Sequence, residues 1–264
     1  MKSSIITALW MLGSIAFVRS APGAPAITPI PEKASIDTVL DALDQRGKSM
    51  KEFTADVQLT TEDTAIGDSN TRTGKVFFRK VGEKGDAQLN VVLDFQVKKD
   101  GGKFIQVASK LQYLLKNGWL YDLDFAKRIR NERQVSKPGD RVNLLKLGEG
   151  PFPLPIGQSK EDVHKSFDVT MTSLAKGDPE NSIHLQLKPR ADTPLAKRFS
   201  KIDVWVDRGT NMPGRIDTLD AAGSEQRSTQ LTKIVVNPKP PLTDTDFTVP
   251  STAGWNVHVD KFQE

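Results

Sequence analysis

The chain has 264 residues, with 37 Lys and Arg against 33 Asp and Glu, three His and no Cys. A formal charge of +4, with both signs mixed along the chain, does not make the one-sided basic stripe of a nucleic-acid binder. The densest basic run, "AKRIRNER" (126–133), is short and broken by an acid, so it reads as a solvated strand edge. Without cysteine there are no disulfides, no thiolate nucleophile, no cysteine-held zinc and no lipidation at a leader cysteine.

In chain order, Met1 and Lys2 precede a nearly continuous apolar run from Ile5 to Val18, and small residues follow in "RSAPGAPA". This is the pattern of a secretory signal peptide over residues 1–20. Cleavage is read after Ser20, Ala24 or Ala26, with Ser20 preferred because Val18 and Ser20 supply the small-residue pair. The run is short for a membrane span and no stop-transfer pattern follows, so no stable span is predicted; an uncleaved anchor is the alternative. Residues 21–34, rich in Pro and Ala, are expected to be extended or disordered, and 35–264 to form a single β domain.

Ile36, Val39, Leu40 and Leu43 recur at helical spacing, with Ser35 as N-cap and Gly47 as a candidate C-cap. Strict alternation then begins. "FTADVQLT" places Phe53, Ala55, Val57 and Leu59 on one face, and "GKVFFRKV" (74–81) keeps the same period. "QLNVVLDFQV" (88–97) does too, which assigns Leu89, Val91, Leu93, Phe95 and Val97 to a shared face. For the hairpin at Asn117–Gly118, a three-residue loop pairs Leu115 with Trp119, Tyr113 with Tyr121 and Leu111 with Leu123. That register is preferred over a two-residue turn because it makes one face continuously apolar. On this reading Asp122 and Asp124 lie on the wet face. "GEGPFPLPIG" (148–157) interrupts the alternation with three prolines around Phe152, Leu154 and Ile156. "SKEDVHKSFDV" reads as a short helix with Ser159 as N-cap and Glu161 and Asp162 in its first turn. Further alternating strands follow at 182–188, 201–207, 214–223 and 227–237, and "DTD" (244–246) reads as turn residues. So many short strands in a meander predict a mainly β fold, a curved antiparallel sheet forming an incomplete, half-open β-barrel with short helices as a lid.

Catalytic patterns are missing. His164, His184 and His258 have no metal-ligand spacing, and no G-x-S-x-G elbow, Walker loop or G-x-G-x-x-G occurs. No cofactor, no metal and no enzymatic activity are expected.

From about Ile36 to Val259 the chain resembles the periplasmic outer-membrane lipoprotein carrier family, LolA and its relatives. The likeness lies in an order of pieces: a short helix, "MKEFTADVQLT", "GKVFFRK", the "NGWLYDLDF" hairpin, a proline-broken apolar segment, "WVDRGTNMPGRIDTLDAAGSEQRSTQL", and a closing "DFTVPSTAGWNV". The resemblance implies an apolar half-barrel that shelters acyl chains of lipoproteins or lipids. It also implies periplasmic transport from an inner-membrane exporter to an outer-membrane acceptor. That acceptor is lipid-anchored in the family, so the absence of cysteine favours the soluble carrier. Phe53, Val57, Phe78, Leu93, Phe95, Trp119 and Tyr121 are then the acyl-cavity candidates. In the family an arginine ending the "GKVFFRK"-like strand holds the lid helices through backbone carbonyls. Here the matching position is Lys80, beside Arg79, and Val81 replaces the usual proline; a lysine makes such bonds without a planar fork. Phe152, Leu154 and Ile156, between glycines, suit a movable cover; the alternative is a plug packed permanently under the sheet. Two other functions stay open: a lipid or lipoprotein sensor with a membrane partner, and an exported enzyme using the cavity.

Overall fold

The computed structural model describes residues 27–82, 86–136 and 156–261. The expected leader and its cleavage window lie outside the described residues, as do Phe152 and Leu154.

Helix α1 spans Ile36–Ser49, where the Ser35 hydroxyl accepts from the Thr38 N–H at 3.2 Å, and Val39, Leu40 and Leu43 are buried. Asp37 in the first turn and Arg46 and Lys48 in the last complement the helix dipole. Gly47 is not the cap: the helix runs on to Met50, and Gly47 is buried where an added Cβ would strike the backbone of Gly157. The first group of strands is Glu52–Asp63 (β1), Ser69–Val81 (β2), Asp86–Asp100 (β3), Lys103–Val107 (β4), Leu111–Lys116 (β5), Trp119–Asp124 (β6) and Ile129–Gln134 (β7). Helix α2, Lys160–Ser166, starts at Ser159, whose hydroxyl accepts from the Asp162 N–H at 3.2 Å. The second group is Phe167–Thr172 (β8), Ser182–Pro189 (β9), Phe199–Asp207 (β10), Met212–Asp220 (β11), Glu225–Val236 (β12) and Asn256–Asp260 (β13).

All thirteen strands join one sheet in the order β13-β7-β6-β5-β3-β2-β1-β12-β11-β10-β9-β8, with β4 paired to β3 alone. The sheet does not close, so the half-open architecture is correct. Three neighbouring pairs depart from the meander: β3–β5, β1–β12 and β13–β7, the last of them parallel. Residues 237–255 form the C-terminal crossover that leads from β12, beside β1, to β13 at the sheet edge.

Residues directly opposite across an antiparallel pair share a face. Phe53, Phe78, Leu89, Leu115 and Leu120 are opposed in turn across β1, β2, β3, β5 and β6, and each is buried. The Phe53 and Phe78 rings stack at 5.4 Å. On the other wing Ile216, Val204 and Leu185 continue the same inner face across β11, β10 and β9. Each such side chain contributes about 1.5–3 kcal/mol on leaving water.

Two registers differ from the sequence reading. The hairpin uses the two-residue turn, pairing Lys116 with Trp119, Leu115 with Leu120 and Leu114 with Tyr121. Asn117 and Gly118 both have positive φ, 54° and 78°, as a type I′ turn requires. The preference for one apolar face failed because both faces of this hairpin are covered: Leu115 and Leu120 by the inner core, Leu114 and Leu123 by the outer packing. Secondly, Thr73 opposes Phe95 while Gly74 opposes Leu93, so Asp94 is an inserted bulge residue. Phe95 therefore turns to the outer face and is 40% exposed, while Gln96 turns inward and is buried.

The turn can be tested at Gly118, where an added Cβ would lie 2.6 Å from Ser136 Oγ. Gly118→Ala is expected to lower stability in chemical denaturation by about 1–3 kcal/mol, from positive-φ strain and this contact. Gly67→Ala, at φ 70° with open space around it, is expected to lose only the strain.

Candidate functional site

The inner face is covered by α1, α2 and the segment that begins at Ile156, which is fully buried in the core. Leu40 and Leu43 of α1 and Val163 of α2 meet Leu185, Leu187 and Val204, leaving a space of about 10 Å³. That is scarcely the room of one water molecule.

Among the described residues, few polar contacts hold the cover. The Gly157 N–H donates to the Leu43 carbonyl at 3.4 Å, and Lys80 Nζ donates to the Gly47 carbonyl. A cation at a helix C-terminus is favourable, yet burial pushes the Lys80 ammonium below the ordinary lysine range. The two helices are joined at their solvent side by Lys160–Asp41 at 2.9 Å and His164–Asp37 at 3.0 Å. Such exposed pairs are each worth little.

The sequence-predicted residues separate into groups. Phe53, Val57, Phe78 and Leu93 come together on the inner face. Phe95, Trp119 and Tyr121 do not: the bulge turns the first outward, and the hairpin register puts the other two on the face of Leu114, opposite Leu115 and Leu120. Tyr121 lies under Arg130 at 5.2 Å. Arg79 also points outward. Its guanidinium donates to Asp244 at 2.6 Å and Gln88 at 2.7 Å and lies 4.7 Å over the Phe247 ring, so it anchors the C-terminal crossover and not the helices. The β9–β10 wall, Leu185, Leu187 and Val204, was missed as site although its strands were read; nothing in alternation alone says which strands α1 lies on.

Past the bulge the inner face becomes polar. The Asn70 and Gln96 amides meet at 2.8 Å, and Arg72 reaches the Asn70 amide at 3.1 and 3.2 Å. Tyr113 opposes Asp122 on the same face as Leu115, so Asp122 is on the inner side and half-buried rather than on a wet face. Burial, then the neighbouring Asp124, raises the Asp122 carboxyl above the usual carboxylate range. Burial, then Asp122, raises the Tyr113 phenol.

The outer face of the second wing carries a stack: His184 lies 4.2 Å from Trp205, which has Arg215 at 4.5 Å. His184 Nε2 meets Asp203 at 2.9 Å, and Arg215 binds Asp217 through two nitrogens at 3.0 and 2.6 Å. Among the described residues no group of three His, Cys, Asp or Glu is placed to hold a metal, and no helix is long and apolar enough to cross a membrane.

The division of labour between the neighbours Arg79 and Lys80 is testable. Lys80→Met removes a charged hydrogen bond worth roughly 1–3 kcal/mol. It is expected to speed hydrogen exchange of the Gly157 amide by about tenfold or more at that cost. Arg79→Met is expected to leave Gly157 unchanged and to loosen the amides around Phe247 instead.

No family model and no curated protein sequence matches this chain. Among solved structures it is similar to LprF from Mycobacterium bovis, at 14% identity over 81% of this chain and 100% of that one, TM-score 0.40. It is similar to the Pseudomonas aeruginosa MucA/MucB complex at 11% identity, covering 82% of this chain and 61% of that one, TM-score 0.41. A LolA superfamily protein from Nitrosomonas europaea also matches, at 12% identity over 82% of this chain and 98% of that one, TM-score 0.32.

Proposed function

We propose that this protein is an exported, periplasmic carrier that takes the acyl chains of lipids or lipoproteins against its inner face, with α1 and α2 moving to admit them. One observation carries the reading: a continuous apolar face on an unclosed sheet is covered by two short helices whose polar tethers, among the described residues, are few. The space that Leu40, Leu43 and Val163 leave against Leu185, Leu187 and Val204 is about 10 Å³, too little for a chain, so on this reading the cover lifts to admit one. Delivery from an inner-membrane exporter to an outer-membrane acceptor, and the cleaved leader that takes the protein across the inner membrane, belong to the same proposal and rest on the sequence resemblance. No catalytic step is part of it.

The chain has no cysteine, so two introduced thiols are the only ones present. Leu43→Cys combined with Val204→Cys puts one on α1 and one on the sheet across the small space. The reduced protein is expected to bind a hydrophobic fluorescent probe in the micromolar range and to release it to a lipopeptide. The oxidised protein is expected not to bind until dithiothreitol is added. Equal binding in the oxidised form, or none in either form of a folded protein, overturns the proposal.

A further inference from the structure

On the side of α1 turned away from the sheet lies a groove of about 390 Å³, within the range of small-molecule sites. One wall is the extended segment Ile27–Pro31 and the other is the α1 face carrying Ala42 and Arg46; Asn211 is also part of the lining. The extended wall is fixed by its backbone. The Ile30 N–H donates to the Arg208 carbonyl at 2.9 Å, Arg208 Nε donates back to the Ile30 carbonyl at 3.1 Å, and Asn211 Nδ2 donates to the Thr28 carbonyl at 3.1 Å.

Two residues lining this groove each hold a buried polar atom without a partner: Asn211, only 5% exposed, its Oδ1, and Arg46 its Nε. Buried polar groups are nearly always paired, and leaving one unpaired is costly. No carboxylate among the described residues pairs with Arg46. Asp41, which shares the groove, is tied to Lys160 at 2.9 Å, and Asp44 is tied to Lys48. The groove thus offers one cation, one buried acceptor, and apolar walls at Ile27, Pro29, Ile30 and Ala42.

Its complement is an anion with a hydrogen-bond donor beside it and an apolar body. A fully ionised phosphate has no donor and no apolar body. A carboxylate next to an amide N–H, on a residue with an aliphatic side chain, has all three. We propose that this groove binds the carboxylate end of an apolar acylated amino acid or peptide, Arg46 taking the carboxylate and Asn211 Oδ1 accepting from the adjoining N–H. The site is separate from the inner face, towards which Val39, Leu40 and Leu43 of the same helix point.

The test uses the full chain and varies the ligand, so that it does not depend on variants of the buried Asn211. N-acetyl-leucine is expected to bind saturably in the millimolar range or tighter, shifting the Arg46 Nε–H and Asn211 side-chain amide resonances. N-acetyl-leucinamide, lacking the carboxylate, and N-acetyl-N-methyl-leucine, lacking the donor, are each expected to bind about tenfold more weakly or less. Arg46→Gln is expected to weaken the acid by a similar factor and to leave the amide unchanged. Acetyl-Ala-Ala-Leu separates the sources: tighter binding than N-acetyl-leucine assigns a peptide end, weaker binding an acylated amino acid. No saturable binding of N-acetyl-leucine, equal binding of the amide, or the same shifts with inorganic phosphate alone overturns the proposal.

Discussion

At Gly47 the backbone of α1 touches the backbone of Gly157, with no room for a side chain between them. This contact sets how closely the helix can lie on the sheet. It brings the Leu43 carbonyl to the Gly157 N–H and the Gly47 carbonyl to Lys80, and it seats Ile156 in the core. Gly157 itself has φ 75°, a conformation that glycine adopts without steric cost. Two glycines more than a hundred residues apart therefore make the cover fit, and a Cβ at position 47 would lift the helix from the apolar face it protects.

The sheet has to cover two faces, and it covers them by different chemistry. Inside, the cover is apolar, two short helices resting on Leu185, Leu187 and Val204 with a handful of hydrogen bonds. Outside, residues 237–255 cross the first wing and are tied down by polar groups: Arg79 to Asp244, Asn90 to the Asp246 carbonyl at 2.7 Å, Lys116 to the Phe247 carbonyl at 3.1 Å. Phe247 is fully buried beneath this crossover, and β13 completes it by pairing with β7. The polar anchoring is geometrically specific, which suits a permanent part of the scaffold. Apolar contact is non-directional, so under the proposed function the inner cover would exchange one greasy surface for another at the cost of few hydrogen bonds, Lys80 to the Gly47 carbonyl among them. The two covers thus differ in how each is attached.

Alternation made most strands legible, and the caps at Ser35 and Ser159 made both helices legible. What alternation could not carry was a change of phase. "VVLDFQV" reads as unbroken period two, and only the pairing of Gly74 with Leu93 and Thr73 with Phe95 shows that Asp94 is extra. From that residue onward the inner face holds Gln96 where the simple pattern would put Phe95. The turn at Asn117–Gly118 failed for a related reason. Register was judged by the assumption that one face of the hairpin is wet, and the C-terminal crossover, 120 residues later in sequence, makes that assumption false. Arg79 and Lys80 show the same dependence on phase: adjacent in the chain, they serve opposite faces.

The bulge also decides where along the sheet a long apolar molecule can lie. Before it, the inner face runs Phe53, Phe78, Leu89, Leu115 and Leu120 without a polar residue. Beyond it come Asn70, Arg72 and Gln96, with the Gln96 and Asn70 amides paired, while Tyr113 and Asp122 lie before it in the row of Val91. Burial disfavours the charged forms of both these last two groups. An acyl chain has no hydrogen bonds to exchange with this end, whereas the apolar rows ask for none. Under the proposed function, the greasy part of an amphiphile would lie along the apolar rows under α1 and α2, where it leaves no buried polar group unpaired.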